Sequence, residues 1–272
     1  MSTTPSNRED KKMDNINIDI TLQERRSRIL EMLHNSGKVR VNELSALFKV
    51  SEVSIRNDLT ELENQGLLSR VHGGAVSSYN SYYNMSLAQR SNTNRKEKEE
   101  IAVKISDMIH DNQSVMMNAG TTTLAVMNKL TRKSGITIIT NSIVLALEGA
   151  KHKNLNIILL GGDVDYEYQF VYGTIALKQL NEFYVDNLIL SADGIDAENG
   201  ISTYYYQEAE ICRQMIKQSK TVIAALDYTK IGRMTLRSIA DAGSVNYVVT
   251  NANASEQVLN ELKDKGINIV IA

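Results

Sequence analysis

Small and polar residues that suit an anion follow five apolar runs in the C-terminal part of the sequence. The run ending at Asn118 leads into Ala119, Gly120 and three consecutive threonines that open a helix. Amides at a helix N-terminus bind phosphate, and glycine lets the backbone approach a ligand closely. The other runs are followed by Thr140-Asn141-Ser142, by Gly161-Gly162, by Ser191-Ala192-Asp193-Gly194, and by Asp227 with Lys230, Gly232 and Arg233. Each segment alone is compatible with an ordinary turn or cap, but their shared position predicts one phosphate-binding site.

Seven short β-rich runs must position these loops. They alternate with helical segments, which favours a mostly parallel sheet covered by helices, the Rossmann-like α/β fold class. The predicted strands are Ser114–Asn118, Ile136–Thr140, Leu155–Leu160, Asn187–Ala192, Thr221–Leu226, Tyr247–Thr250 and Ile267–Ile271. Ligands bind at the carboxyl ends of the strands in open sheets of this kind. The sequence lacks both G-x-x-x-x-G-K-[ST] and G-x-G-x-x-G, which argues against nucleotide hydrolysis and dinucleotide binding.

A second group of residues suits DNA and lies on a helix predicted from Ser51, its N-cap, to about Gln65, before Gly66. An advance of about 100° per residue puts Ile55, Leu59 and Leu62 on one buried stripe. The residues expected on the opposite face and its flanks are Ser51, Val53, Ser54, Arg56, Asn57 and Thr60. Arginine donates to guanine or phosphate, asparagine pairs with adenine, and valine contacts a thymine methyl. An ordinary solvated helix face is the alternative.

The elements around this helix have the order of a winged helix-turn-helix, which presents its recognition helix to the major groove. The elements predicted before it are a helix over Leu22–Leu33 between Thr21 and Gly37, a strand over Lys38–Val41, and a second helix capped by Asn42. After it, Leu67–Arg70 and His72–Val76 are predicted to pair as a hairpin wing. We expect Arg70 and His72 on that wing to contact DNA phosphates.

Length and composition fit two domains of an ordinary globular protein. The chain has 272 residues, 42% of them hydrophobic, and a net charge of −2, so charge alone does not point to nucleic acid. We predict a disordered tail over residues 1–20, a DNA-binding domain over 21–76, a linker over 77–95 and a sensor domain over 96–272. The apolar runs are too short to span a membrane, which predicts a cytoplasmic protein. One cysteine, Cys212, and four scattered histidines predict no disulfide, metal or cofactor.

The motifs resemble those of the DeoR family of bacterial sugar-metabolism repressors, and their pattern is most similar to its amino-sugar branch. That family's recognition helix usually reads S-x-x-T-I-R-R-D-L and its wing R-x-H-G-G-A, and this chain has S-E-V-S-I-R-N-D-L from Ser51 and R-V-H-G-G-A from Arg70. Ser54 replaces the usual threonine and keeps its hydroxyl, whereas Asn57 replaces a frequent arginine and affects which operator is read. The family's D-x-G-T-T, T-N-S, L-G-G and A-D-G landmarks are also matched, except that Asn118 replaces the usual aspartate.

The resemblance implies a sensor domain similar to ribose-5-phosphate isomerase, with a phosphosugar site that binds without turnover and has no catalytic residue. Carried over to this sequence, Gly120, Thr121 and Thr122 would hold the phosphate, and Thr140 and Asn141 would line the pocket. Asp193 and Gly194 would meet sugar hydroxyls, and Lys230 would supply a cation. The predicted site is completed by Gly161, Gly162 and Glu208.

The leading hypothesis is a repressor of a carbohydrate-utilisation operon, which binds double-stranded operator DNA as a homo-oligomer and is released by a phosphorylated sugar or amino sugar. Its alternative is a sugar-phosphate isomerase with an accessory N-terminal domain, for which Asp193, Asp196, Glu208 and Lys230 are candidate groups. A third hypothesis gives the α/β domain a role only in assembly. The sequence leaves open the sugar, the operator, the oligomeric state, and whether the effector induces or corepresses.

Overall fold

The computed structural model describes residues 21–64, 68–77 and 87–272. The chain divides into two compact units between Ser81 and Tyr82. The predicted tail, the helix terminator Gly66 and residues 78–86 of the predicted linker lie outside the described residues.

The first unit is a three-helix bundle with a small antiparallel sheet. Its elements are α1 (Leu22–Ser36), β1 (Lys38–Arg40), α2 (Val41–Phe48), α3 (Glu52–Asn64), β2 (Leu68–Val71) and β3 (Gly74–Ser77). As predicted, Thr21 caps α1, in a reciprocal capping box with Glu24, and Gly37 ends it with a φ of 71°. The strand order is β1-β3-β2, so the predicted hairpin forms and pairs with the strand after α1.

The predicted N-cap of the second helix is wrong by two residues. Helix α2 begins at Val41 with Arg40 as its N-cap, and the Asn42 side chain accepts a hydrogen bond from the adjacent Glu43 amide at 3.0 Å. Val41 is buried with Leu44, so the apolar stripe of the helix starts one turn earlier than the polar signal suggests. Core packing therefore determined where this helix starts.

The second unit is built on a seven-stranded, all-parallel sheet. Its strands in spatial order are β15 (Asn268–Ile271), β14 (Tyr247–Thr250), β12 (Ser219–Ala225), β9 (Val185–Leu190), β4 (Ser114–Met117), β5 (Ile136–Thr140) and β6 (Leu155–Leu159). All seven predicted strands are present, with ends shifted by up to two residues. The predicted α/β class with a parallel sheet is therefore confirmed.

Helices cover both faces of the sheet because successive strand residues point to opposite sides. Met116 belongs to one apolar core, whereas its neighbours Val115 and Met117 belong to the other. The Met116 core packs against α8 (Gly173–Leu180), α9 (Tyr206–Lys217) and α10 (Glu256–Asp264). The other core packs against α5 (Arg95–Met108), α6 (Thr121–Leu130) and α7 (Ile143–Gly149).

Three smaller features were not predicted. A hairpin of β7 (Asp163–Asp165) and β8 (Phe170–Tyr172) follows β6. A second antiparallel sheet joins β10 (Gly194–Asp196), β11 (Gly200–Thr203) and β13 (Arg237–Ala240). A short helix, α4 (Leu87–Asn92), lies within the predicted linker, and α5 begins at Arg95. Residues 87–95 of the predicted linker therefore belong to the second unit.

The chain reverses its direction across the sheet between β4 and β9. From β4 it proceeds through β5 to the edge strand β6, and it then returns to the other side of β4 as β9, β12, β14 and β15. Such a switch point opens a crevice at the carboxyl ends of the two strands, where ligands bind in open α/β sheets.

Candidate functional site

The exposed face of α3 carries the predicted DNA-binding residues. Arg56 and Asn57 are exposed and Val53 is 63% exposed, whereas Ile55 and Leu59 on the opposite face are fully buried. Ser51 caps the helix, because its hydroxyl accepts a hydrogen bond from the Ser54 amide at 3.1 Å. The predicted helical phase therefore agrees with the burial of the side chains.

Contacts within the unit position three of these side chains. The Arg56 guanidinium forms an ion pair with Glu52 one turn earlier at 2.5 Å. The Thr60 hydroxyl donates to the Arg56 carbonyl at 2.7 Å and accepts from Arg70 of the wing at 2.8 Å. His72 lies exposed in the turn between β2 and β3. Arg56, Arg70 and His72 thus lie at the surface, while Thr60 connects the helix to the wing.

Sequence reasoning missed Asp58, which anchors this helix. Its carboxylate is 1% exposed and accepts hydrogen bonds from the Nε atoms of Arg25 at 2.6 Å and Arg26 at 3.1 Å, both on α1. A buried carboxylate requires such partners. A signal was available, since residue 58 falls on the stripe of Ile55, Leu59 and Leu62, where a charged residue needs a buried counter-charge.

A cleft opens in the second unit at the carboxyl ends of β4, β9 and β12. The space between its walls is about 480 Å³, which includes some open solvent. Predicted site residues that line it are Gly120, Thr121, Thr122, Asp193, Glu208 and Lys230. Its other polar lining residues are Arg90, Ser191, Tyr205 and Asp227. The structure therefore brings together residues from three of the five predicted loops.

The loop after β4 forms one wall of the cleft and opens helix α6. The first amides of a helix have no acceptor within it, so those at the start of α6 are available to an anion. Gly120 is required by close packing, because a Cβ there would lie 2.0 Å from the Ser191 hydroxyl. Thr121 and Thr122 are mostly buried. This narrow wall, rich in backbone groups, is called the α6 cradle below.

Asn118 holds the two sides of the switch point together beneath the cleft. Its fully buried side chain accepts from the Ser191 amide at 2.8 Å and donates to the Ser191 carbonyl at 2.9 Å. It also lies within 3.4 Å of Glu208 as a donor. An aspartate would keep the first contact but lack the N–H groups for the other two. The asparagine that departs from the family pattern is thus matched to its neighbours in this chain.

Lys230 places a buried cation at the cleft. It ends a single 3₁₀ turn, Tyr228–Lys230, that Asp227 caps by accepting from the Thr229 amide at 3.0 Å. Lys230 is 6% exposed, and burial lowers its pKa while the carboxylates of Asp193 and Asp227 oppose that shift. A bound phosphate would act in the same direction as these carboxylates and favour the ammonium form.

Two carboxyl groups of the same cleft, Asp193 and Glu208, share one hydroxyl. Thr203 lies 3.0 Å from Asp193 and 2.7 Å from Glu208, and the Tyr204 amide donates to Asp193 at 3.0 Å. A hydroxyl has one proton, so both contacts are satisfied when a protonated Glu208 donates to Thr203 and Thr203 donates to Asp193. Burial, followed by the charge of Asp193, raises the pKa of Glu208 to about 8, which agrees with this arrangement.

Five predicted effector residues do not line the cleft. Thr140 is fully buried and its hydroxyl donates to the Met117 carbonyl at 2.7 Å. Asn141 accepts from the Ala119 amide at 3.0 Å and donates to the Val171 carbonyl at 3.1 Å, so it supports the α6 cradle from behind.

The other three residues are glycines. Gly161 and Gly162 follow the edge strand β6, two strands away from β4, and the Gly161 amide donates to Gln179 on α8. Gly194 is buried where a Cβ would lie 2.2 Å from the Arg233 carbonyl oxygen. None of the three lines the cleft.

The helices of the described residues are too short or too polar to span a bilayer. These residues also contain no group of three or more histidine, cysteine, aspartate or glutamate side chains that could hold a metal ion.

Both units match known family models. Residues 25–80 match the DeoR-like helix-turn-helix domain and residues 93–252 match the DeoR C-terminal sensor domain. The chain is 30% identical to the HTH-type transcriptional regulator GolR of Listeria innocua, over 92% of this chain and 98% of that protein. It is 30% identical to a putative aga operon transcriptional repressor of Escherichia coli O157:H7, over 91% and 93% of the two chains. It is 33% identical to the transcriptional repressor AccR of Agrobacterium fabrum, over 85% and 90%.

Solved structures match part of the chain at low similarity. A ribose 5-phosphate isomerase from Plasmodium falciparum covers 52% of this chain and 52% of its own, with 16% identity and a TM-score of 0.37. A probable sor operon regulator from Shigella flexneri covers 60% of this chain and 88% of its own, with 12% identity and a TM-score of 0.41.

Proposed function

Because this chain belongs to the DeoR family of DNA-binding transcriptional regulators, we propose that it represses a carbohydrate-utilisation operon and leaves its operator when a phosphorylated sugar binds. It is a regulator and not an enzyme. The isomerase alternative is thereby set aside. In this proposal residues 21–76 bind DNA, residues 96–272 form the sensor, and the protein acts in the cytoplasm, where its operator is.

The proposed DNA contacts are made by the exposed face of α3 and by the wing. Arg56 and Asn57 are placed to read base edges, since both are exposed on the side opposite the buried stripe. Val53 contributes an apolar contact, and Ser51 and Ser54 lie at the N-terminal end that meets the groove first. Arg70 and His72 contact phosphates from the wing, and Thr60 holds Arg70 in place.

One observation carries the effector assignment. The N-terminal amides of α6 and the buried ammonium group of Lys230 line the same cleft at the topological switch point. Amides at a helix N-terminus and a lysine are typical partners of a phosphate group. Carboxyl groups such as those of Asp193 and Glu208 accept hydrogen bonds from sugar hydroxyls or from an ammonium group. The proposed effector therefore carries its phosphate at Gly120, Thr121 and Thr122 and its hydroxyl or amino groups at Asp193 and Glu208.

Release from the operator requires the ligand to bind one conformation of the protein better than another. We further propose a homo-oligomer that binds paired half-sites, as two-fold helix-turn-helix regulators do. The proposed effector is an inducer, since the relatives named as repressors would need a signal that relieves repression.

The test compares Lys230→Ala with Lys220→Ala, a control that removes an exposed lysine from β12, the strand that precedes the turn of Lys230. Wild type is first screened for thermal stabilisation by a panel of pentose, hexose and amino-sugar phosphates. A ligand at about a hundred times its dissociation constant adds roughly 2.7 kcal/mol of stability. The operator is recovered by selection from genomic fragments, and release is then titrated.

Loss of the buried cation should weaken ligand binding by about 2–5 kcal/mol. The Lys230 variant should therefore stay on the operator at ligand concentrations that release the wild type and the Lys220 variant. Equal release midpoints for all three proteins would remove Lys230 from the effector site. If no panel member stabilises the wild type, the proposed effector class is wrong.

A further inference from the structure

The cleft has a wall that does not come from the strand-end loops. Arg90 lines it, and Arg90 lies on α4, a helix that the sequence pattern places in a linker. Helix α4 packs against α6, whose N-terminus forms the α6 cradle. Along the chain, α4 is the first described element after β3 of the DNA-binding unit.

A buried lysine fixes the backbone of this segment to the second unit. Lys98 is 3% exposed, and its ammonium group donates to the carbonyls of Arg90 at 2.6 Å and Thr93 at 2.7 Å. The Asn94 side chain donates to Asp227, another cleft residue, at 3.3 Å. Backbone carbonyls held by a buried cation cannot shift without breaking strong hydrogen bonds. The segment thus holds Arg90 in a defined position relative to the cleft.

The Arg90 side chain is oriented by aromatic residues. Its guanidinium lies 4.0 Å from the centre of the Tyr168 ring, within the range of a cation–π contact. The Tyr205 hydroxyl donates to the Tyr168 hydroxyl at 2.5 Å, and Tyr205 itself lines the cleft. A guanidinium held over an aromatic ring contacts it through its face, and its N–H groups lie in the guanidinium plane, where they suit bidentate contact with phosphate.

Charge balance in the cleft also favours a second cation. The acidic residues that line it are Asp193, Glu208 and Asp227, and the basic ones are Lys230 and Arg90. With Glu208 protonated, Asp193 and Asp227 carry two negative charges, so Lys230 alone would leave the lining net negative and unfavourable to a phosphate dianion. Arg90 brings the lining to neutrality, and the two cations and the amides at the start of α6 can then attract the dianion.

We infer that Arg90 is an effector-binding residue, through which occupancy of the cleft fixes the segment that leads to the DNA-binding unit. This inference rests on the proposed function, because it names a further contact and the regulation of the same site. A phosphate held by both the α6 cradle and Arg90 joins α4 to the sheet. Ligand binding therefore changes the free energy needed to move residues 87–94. A regulator with two units requires such a coupling if a ligand in one unit is to affect the other.

The experiment compares full-length wild type, Arg90→Gln, Arg90→Lys and Arg95→Gln. Arg95 is a matched control, since it is exposed at the start of α5 and does not line the cleft. The probes are inorganic phosphate, ribose 5-phosphate, fructose 6-phosphate and glucosamine 6-phosphate. Dissociation constants are measured by calorimetry for the probe that stabilises the wild type most. Hydrogen exchange of residues 87–94 is measured with and without saturating probe.

We expect Arg90→Gln to weaken binding about tenfold or more and Arg95→Gln to change it less than twofold. Saturating probe should slow exchange over residues 87–94 in the wild type but not in Arg90→Gln. Arg90→Lys keeps the positive charge but lacks the planar guanidinium N–H groups, so it should bind the probe with intermediate affinity. This variant is used in place of Arg90→Gln if the latter does not fold.

Three results would overturn the inference. If wild type responds to a probe and both Arg90 variants bind as tightly, Arg90 is only a packing residue. If the variants bind weakly but gain the same protection at saturation, Arg90 does not link the ligand to the segment. A wild type that responds to none of the four probes contradicts the proposed effector class and this inference together.

Discussion

Substitution Asp58→Asn separates the structural from the DNA-contacting residues of α3. Asp58 belongs to the same I-R-N-D-L run as the proposed base-contacting residues, yet its carboxylate is buried against Arg25 and Arg26. Asparagine keeps the shape and one acceptor oxygen but removes the negative charge. The guanidinium of Arg25, whose side chain is 10% exposed, would then lack a counter-charge.

The expected loss follows from the burial of each partner. Breaking a buried ion pair by removing one charge costs about 3–5 kcal/mol. The lower end applies here, because the amide oxygen still accepts one hydrogen bond and the Arg26 side chain is 25% exposed. We therefore expect the first unit to lose about 3 kcal/mol of unfolding free energy, a large part of the stability of so small a domain. Operator binding should weaken as a consequence, without any lost base contact.

Hydrogen exchange of α1 and α3 peptides measures this loss locally. Eleven of the twelve tyrosines lie at or after Tyr82, in the second unit, and the chain has no tryptophan, so tyrosine fluorescence monitors mainly the second unit and should change little. The control is Glu63→Gln, the same acid-to-amide change at an exposed position of α3. The glutamine oxygen can still accept from the Arg70 amide, which lies 2.7 Å from the Glu63 carboxylate, so stability should change by no more than about 0.5 kcal/mol. If Asp58→Asn and Glu63→Gln exchange alike, the carboxylate does not anchor the helix. If exchange is unchanged while operator binding falls, Asp58 contacts DNA.

Three further results are expected. Arg56→Ala should reduce discrimination between operator and random duplex by about 1–3 kcal/mol in binding titrations, and equal losses on both duplexes would indicate a phosphate contact instead. Gly120→Ala should destabilise the second unit by about 1–3 kcal/mol, because its Cβ meets Ser191, whereas Gly243→Ala, with open space around it, should not. The pKa of Glu208 is raised to about 8, so between about pH 4.5 and pH 8 the folded state keeps a proton that the unfolded state releases. In urea titrations, the stability of the wild type should therefore fall relative to that of Glu208→Gln as the pH rises from 5 to 8. Parallel pH profiles would contradict the last expectation.

The strands of the sensor were predictable because each is a compact run of β-branched and aliphatic residues between turn signals. The sheet β10-β11-β13 was not, because its strands have only three or four residues and β11 pairs with β13 more than thirty residues further along the chain. Helix α4 was missed for a related reason. Its sequence is polar, and its position depends on a buried hydrogen bond from Lys98 that no local pattern indicates.

The positions of the predicted strand ends identified the candidate loops of the site. They did not show which of these loops lie side by side in the folded sheet. Gly161 and Gly162 follow an edge strand, and strand order is not contained in the pattern of apolar runs. Thr140 ends β5 and Asn141 follows it, but their side chains form hydrogen bonds with the backbone of Met117 at the end of β4 and of Ala119 in the next loop. Asp193 and Lys230 were expected at one site from strand-end position and the family resemblance, and they line one cleft together with Glu208.

The charge of the DNA-binding unit bears on the proposed oligomer. Residues 21–77 contain eight basic and seven acidic residues, and the basic ones include Arg25 and Arg26, which are paired with Asp58. Few cations remain to neutralise phosphates, and phosphate contacts supply most of the sequence-independent affinity of a DNA-binding protein. A single unit is therefore expected to bind weakly even at its correct half-site. Two units on paired half-sites gain affinity through effective concentration and need no further charge. A ligand that changes only the geometry between two such units would then suffice to release the operator.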